Sequence, residues 1–311
     1  MPPVLVVHGD RKTQRALGRV ITSGYGPAML LDTIEAACAE LAPGTVAVVG
    51  LAEAMAGDLG ALVRDARAGG GDVILCGEQG PVEVLKLVRD HALTHVVTTD
   101  AVAAADELPL VLRIRASGGP LDGVGVERYL AHGAPLHQHV PISTHGRLGI
   151  LAAVRDDLAS LGISARHERH AALIADELLA NAIHDAPSRA GTVHRGSVRD
   201  PDRPLSARER PRLRWGADGR TLAIEVTDQF GNLDGETIRA HLAKLVDRST
   251  KPREGNGGAG LGLAMAYTAA SQLVFHLCPG RMTQAIGLID LRSRPDGVRS
   301  AVPSLHVFIE T

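Results

Sequence analysis

Short apolar runs alternate with helix-periodic stretches through the first third of the chain. Val4–Val7 precede a helical stretch from about Thr13, and Ala28–Leu31 precede TIEAACAEL. Thr45–Gly50 precede GDLGALVRDARA, Asp72–Gly77 precede PVEVLKLVRDHA, and His95–Thr99 precede AVAAADELPLVLRI. Apolar runs this short suit strands buried on both faces, as in a parallel sheet with helices over each side. Five such units in about 112 residues predict an α/β, doubly wound domain over residues 1–113. The pattern then breaks. RASGGPLDGVG is a Gly- and Pro-rich linker signal, and VERYLAH has room for a turn or two of helix. The linker is placed at 114–136 and a second domain at 137–311.

The second half opens on HVPIS, an edge-strand candidate. Two helical stretches follow, GRLGILAAVRDDLASLG, ended by Gly162, and ARHERHAALIADELLANAIHDA, capped by Ser164 and stopped before Pro187. The irregular PSRAGTVHRGSVRDPDRPLSARERPR reads either as a mobile loop or as a basic contact patch. RLRWGADGRTLAIEVTDQF reads as a hairpin around ADGR whose second strand ends at Asp228. LVFHLCPGR, TQAIGLIDL and SLHVFIE supply further strands of the same sheet.

Composition narrows the partners. With 311 residues, 45% hydrophobic and 22% charged, the chain suits two ordinary globular domains, and with aromatics at 2% the cores are built from Ala, Leu, Val and Ile. A net charge of −2 gives no case for a nucleic acid or an anionic membrane. No apolar run is long enough to span a bilayer, and MPPVLVVHGDRK lacks the layout of a signal peptide. Cys38, Cys76 and Cys278 are scattered and form no CxxC pair, so they read as reduced core residues of a cytoplasmic protein. His132, His137, His139 and His145 cluster in sequence, but no carboxylate or cysteine joins them at a ligand spacing, so no structural metal is expected there.

Three stretches carry chemistry. Glu177, Asn181 and His184 stand at i, i+4 and i+7 and share one helix face. That face is either solvated or has a task. Asn is a poor mid-helix residue, an amide oxygen can ligate Mg²⁺, and a carboxylate one turn earlier can position or deprotonate a nucleophile. Asp228, before QFGNLDG, is either a turn former or a buried acceptor at a ligand pocket. Last comes REGNGGAGLGL, with five glycines between Gly255 and Gly262 just before an alanine-rich helix. Such a run either hinges and packs or lets the backbone cradle a phosphate at a helix N-terminus.

The order Glu-x-x-x-Asn on a helix, a strand ending in Asp, then GGAGLGL opening a helix resembles the GHKL (Bergerat-fold) ATP-binding domains. These occur in histidine kinases, Hsp90, type II topoisomerases and anti-sigma-factor kinases. The resemblance covers about His137 to Thr311 and implies an α/β sandwich binding ATP and Mg²⁺. It gives Asn181 the Mg²⁺, Glu177 the general base, His184 a place near the phosphates and Asp228 the adenine amino group. Gly231 falls in the first glycine box; Gly258, Gly260, Leu261 and Gly262 fall in the second, beside a lid over about Thr237 to Asn256. The first box departs from Asp-x-Gly-x-Gly, reading Asp228-Gln229-Phe230-Gly231-Asn232, with Phe230 either stacking near adenine or narrowing its pocket.

The first domain, about Pro3 to Arg113, resembles a flavodoxin-like receiver of bacterial response regulators in element order and length. Its expected phosphotransfer residues are replaced by His8, Gly9 and Asp10, by Gly50, by Cys76 and by Thr99. It therefore reads as a pseudo-receiver for docking or dimerisation, the alternative being an unrelated doubly wound domain. The segment from Arg113 to Ile142 is too short for a histidine-kinase dimerisation hairpin. The helix ending LASLG before DELLANA is closer to the anti-sigma-factor serine kinases. The resemblance implies an ATP-dependent protein kinase acting on a protein partner, namely a sigma factor, an antagonist or a two-component protein, with a homodimer as an option. Two alternatives stay open, an ATP-gated binding switch without catalysis and a histidine kinase component acting on an acceptor elsewhere.

Overall fold

The structure, a computed structural model, describes residues 3–77, 81–97, 104–117, 125–191, 202–246, 261–292 and 303–310. It is an α/β chain in two compact units, Met1–Gly119 with Arg299–His306, and Pro120–Val298 with Val307–Thr311.

In the first unit β1 (Val4–Val7), α1 (Arg11–Gly24), β2 (Ala28–Leu31), α2 (Ile34–Ala39) and β3 (Val46–Gly50) follow in turn. Then come α3 (Leu51–Ala56), α4 (Leu59–Ala68), β4 (Asp72–Cys76), α5 (Pro81–Asp90), β5 (His95–Val97) and α6 (Ala104–Ser117). The strands are parallel in the order β2-β1-β3-β4-β5, the doubly wound flavodoxin order. Apolar runs such as Val4–Val7 and Val46–Val49 are buried along their whole length because helices cover both faces. Side chains start several helices: Asp10, Thr33 and Asp58 each accept an N–H of the first turn.

A buried polar chain lies at the β5 side of this unit. The Asp72 carboxylate accepts from Arg115 at 2.9 Å, Thr94 at 2.8 Å and Arg67 at 3.3 Å. His95 Nε2 lies 3.9 Å from it, and His95 Nδ1 lies 3.3 Å from His306 Nδ1. His306 Nε2 is 2.8 Å from Glu107 Oε1. His306 comes from β11 (Ser304–Ile309), where Leu305 and His306 pair antiparallel with Val96 and His95. The sequence expectation put SLHVFIE wholly with the second half; its first residues instead complete the first unit.

The second unit contains β6 (Leu136–His139), α7 (Gly146–Ser160), α8 (Ala165–Ala180), a π-helical turn at Asn181–Asp185 and α9 (Ala186–Arg189). It continues with β7 (Arg212–Ala217), β8 (Thr221–Asp228), α10 (Gly235–Ala243), α11 (Gly262–Ala269), β9 (Gln272–Cys278) and β10 (Met282–Asp290). The sheet is antiparallel in the order β9-β10-β8-β7-β6. Helix α8 packs on β8 and β10 and against α7 and α11. Residues 125–130 also pack on this sheet: Val126 N–H donates to the fully buried Glu225 at 2.7 Å, and the Tyr129 hydroxyl lies 3.2 Å from His276. The edge strand β6 stops at His139, short of Pro141, which has no N–H for the ladder. His137 stacks on Trp215 with centroids 4.1 Å apart, so it serves packing.

The helix expected to stop before Pro187 instead runs on to Arg189 through the π-helical turn. Ala186 N–H reaches back five residues to the Asn181 carbonyl. The wider turn places Pro187 in the first turn of α9, where a missing N–H costs nothing.

Candidate functional site

Asp228 ends β8, opposite Thr283 of β10, and is 8% exposed. Its Oδ1 accepts the N–H groups of Phe230 at 2.8 Å and Gly231 at 3.3 Å. It thus forms the turn and is also a buried acceptor. Burial pushes its carboxyl above the usual range, against the opposing pull of those two N–H donors. The chain then turns through Gly231, whose φ is 59°. A Cβ there would collide with the backbone of Cys278, Arg281 and Met282, and the Gly231 carbonyl accepts Gly280 N–H at 2.9 Å. Close packing on the β9–β10 turn explains this glycine.

Asn232 follows. Its Nδ2 donates to the Ala186 carbonyl at 2.6 Å, tying the turn to α9. Its Oδ1 is buried with no hydrogen-bond partner among the described residues. Asp228, Asn232 and Asn181 line one cavity, walled also by Arg189, His241 of α10 and Leu263 of α11. The cavity measures about 30 Å³, enough for one or two waters and far below the roughly 300–1,000 Å³ of a ligand pocket. Burial, with the charges of Lys244 and Arg189, lowers the pKa of His241 against the opposing pull of Asp185.

Asn181 starts the π-helical turn. Such turns recur at functional sites; Asn181 N–H still reaches the Glu177 carbonyl, so of the three residues read on one face this turn shifts only His184. Asn181 faces the cavity, while His184, half-buried, is not among its lining residues. Glu177 is also absent from the lining. Its carboxylate lies against Gly262 at the start of α11, where a Cβ on residue 262 would strike it. Burial and the neighbouring Asp176 raise the Glu177 pKa, while Arg147, itself paired with Asp176 at 2.7 Å, lowers it. Leu261 precedes α11 and is exposed. Gly258 and Gly260 lie outside the described residues. Phe230 is buried beneath the Arg208 guanidinium, 5.1 Å from its ring centre, and does not line the cavity. Arg189 and His241 were not singled out from the sequence; only tertiary packing brings them to the cavity.

In the first unit, Asp10 caps α1 and Gly50 caps α3. Glu53 of α3 fills the space a side chain on Gly50 would need and accepts Gly9 N–H at 2.7 Å. Among the described residues no group of three or more His, Cys, Asp and Glu is arranged to hold a metal ion, and no helix is long and apolar enough to cross a membrane.

No family model matches the sequence, and no curated protein matches it. Among solved structures the chain is similar to a chain of the SiaB–SiaC complex from Pseudomonas aeruginosa. The match has 14% identity and a TM-score of 0.33, over 50% of this chain and 88% of that one.

Proposed function

We propose that the second unit is a GHKL-type ATP-binding domain and that the protein is a Mg-ATP-dependent signalling kinase of the anti-sigma-factor serine kinase type. The observation that carries this reading is the pair of buried acceptors facing one cavity, the Asp228 carboxylate and the otherwise unpartnered Asn232 Oδ1. Two such acceptors suit a ligand that presents N–H donors, as an adenine amino group does. The donor set therefore fits the nucleotide. The volume does not fit it as it stands, so entry requires the walls at His241 and Leu263 to move apart. Asn181 would hold Mg²⁺ and Gly262 would admit the backbone close to phosphate; bound Mg-ATP would supply the transferable phosphoryl group. Glu177, a carboxyl raised by burial, is poised to take a hydroxyl proton from a protein substrate.

Calorimetric titration with ATP and Mg²⁺ tests the binding step. Wild-type chain should bind saturably. Asp228→Asn should weaken binding about 10–100-fold, the loss of a hydrogen bond to a charged group. Asn181→Ala should bind equally with Mg²⁺ and with chelator. A folded wild type that binds no ATP overturns the proposal.

The small cavity also favours a second reading, a switch in which ATP entry moves α10 and α11 and alters partner binding without catalysis. Glu177→Gln separates the two. As a kinase it should lose about 100-fold or more of its phosphoryl transfer with ATP affinity kept. As a switch it should behave as wild type. Label on the partner that survives acid but not alkali marks phosphoserine; the reverse marks phosphohistidine and a histidine kinase component.

A further inference from the structure

One face of α1 is basic and its cations are mostly unspent. Lys12, Arg15 and Arg19 are exposed and make no ion pair among the described residues. Nearby acids are already engaged. Asp10 caps the helix, accepting from Thr13 N–H at 2.8 Å and Thr13 Oγ1 at 2.6 Å, and Asp32 pairs with Arg11 at 2.7 Å. Beside this face a groove of about 840 Å³ runs between α1 and β2, with Gly18, Ala28 and the exposed Leu30 among its lining. Strand β2 ends the sheet of this unit, and nothing among the described residues pairs with its outer edge. A free strand edge is a template for another strand.

The spacing says what kind of strand. Of the unpaired cations, Arg15 and Arg19 stand four residues apart, about 6 Å along the axis at ~1.5 Å per residue. Alternate side chains of an extended strand stand about 6.8 Å apart. A strand laid along β2 with carboxylates at every second position would face them towards Arg15 and Arg19 across the groove and turn its other side chains to the opposite face of the sheet. A phosphate backbone would make no use of the strand edge. We propose that the α1–β2 groove docks an extended acidic segment of a partner protein, with carboxylates at alternate positions, as an added strand on β2.

The test uses the full chain and a fluorescent hexapeptide of alternating glutamate and valine, followed by anisotropy. Binding should be saturable and should weaken about tenfold or more in Arg15→Glu/Arg19→Glu and in high salt. N-methylation of the peptide on its β2-facing side should cost about as much, because it removes the ladder hydrogen bonds. Leu30→Asp should also weaken binding, and Asp228→Asn should leave it unchanged, so a failed nucleotide site and a failed groove give different results. Circular dichroism checks that the variants fold. Three outcomes overturn the proposal: no saturable binding, equal binding of an isomer with its glutamates in one block, or tighter binding of a single-stranded oligonucleotide with the same sensitivity to the arginines.

Discussion

Gly231→Ala should destabilise the second unit by at least about 3 kcal/mol and lower its melting temperature by roughly 5–10 °C. Two costs add. The left-handed φ of 59° is strained for any residue with a Cβ. The Cβ would also overlap main-chain atoms of Cys278, Arg281 and Met282, and backbone cannot swing aside as a flexible side chain can. Gly219→Ala provides the control. Its φ of 83° is also left-handed, but nothing lies within 4 Å of the new methyl group, so only about 1 kcal/mol is expected. Thermal melts of both variants decide the matter, and equal losses would show that the collision is relieved at no cost. Nucleotide titrations on Gly231→Ala would then report folding as much as contact, because this glycine supports the turn that carries Asp228 and Asn232.

Acidification should weaken the first unit through His95. This imidazole is fully buried, and burial, then the neighbouring His306, Arg115 and Arg67, push its pKa well below the ordinary value. It stays neutral in the folded chain and gains a proton on unfolding. Its contribution to stability is therefore whole above about pH 6.5 and shrinks as the pH falls below that. By pH 5 the loss amounts to about 2 kcal/mol. Urea unfolding at pH 7.5 and pH 5 measures it. His95→Gln, which cannot titrate, should lose about 2 kcal/mol less than wild type between the two pH values, whatever its starting stability. Equal losses in the two proteins would remove His95 as the cause.

Local pattern made much of the fold legible. The five apolar runs fall on β1 to β5 within a residue or two at each end, and the hairpin around ADGR is β7–β8, because burial on both faces and turn chemistry are written in neighbouring residues. Two features escaped for physical reasons. The π-helical turn at Asn181–Asp185 is a change of hydrogen-bond register, and side-chain periodicity over five residues does not report it. Placing His184 on the face of Glu177 and Asn181 assumes an unbroken α-helix, and the register change falls between Asn181 and His184. The pairing of His306 with His95 links residues 211 apart, and no local signal marks such a contact. At the candidate site Asp228 stood out from its strand-end position. The role of Asn232 did not, because its buried, unpartnered oxygen exists only once Ala186 has claimed the other end of the amide.

The membership of residues 299–306 in the first unit has a consequence for the timing of synthesis. Residues 1–119 leave the ribosome well before Ser304–Ile309, the strand that pairs with β5. At roughly 5–20 residues per second, the wait is about 10–40 s. Throughout it, β5 has an open edge, and His95 and Glu107 lack His306. Nascent chains of this protein should therefore depend on a chaperone, or on slow reversible folding of the first unit, until Ser304–Ile309 have been made.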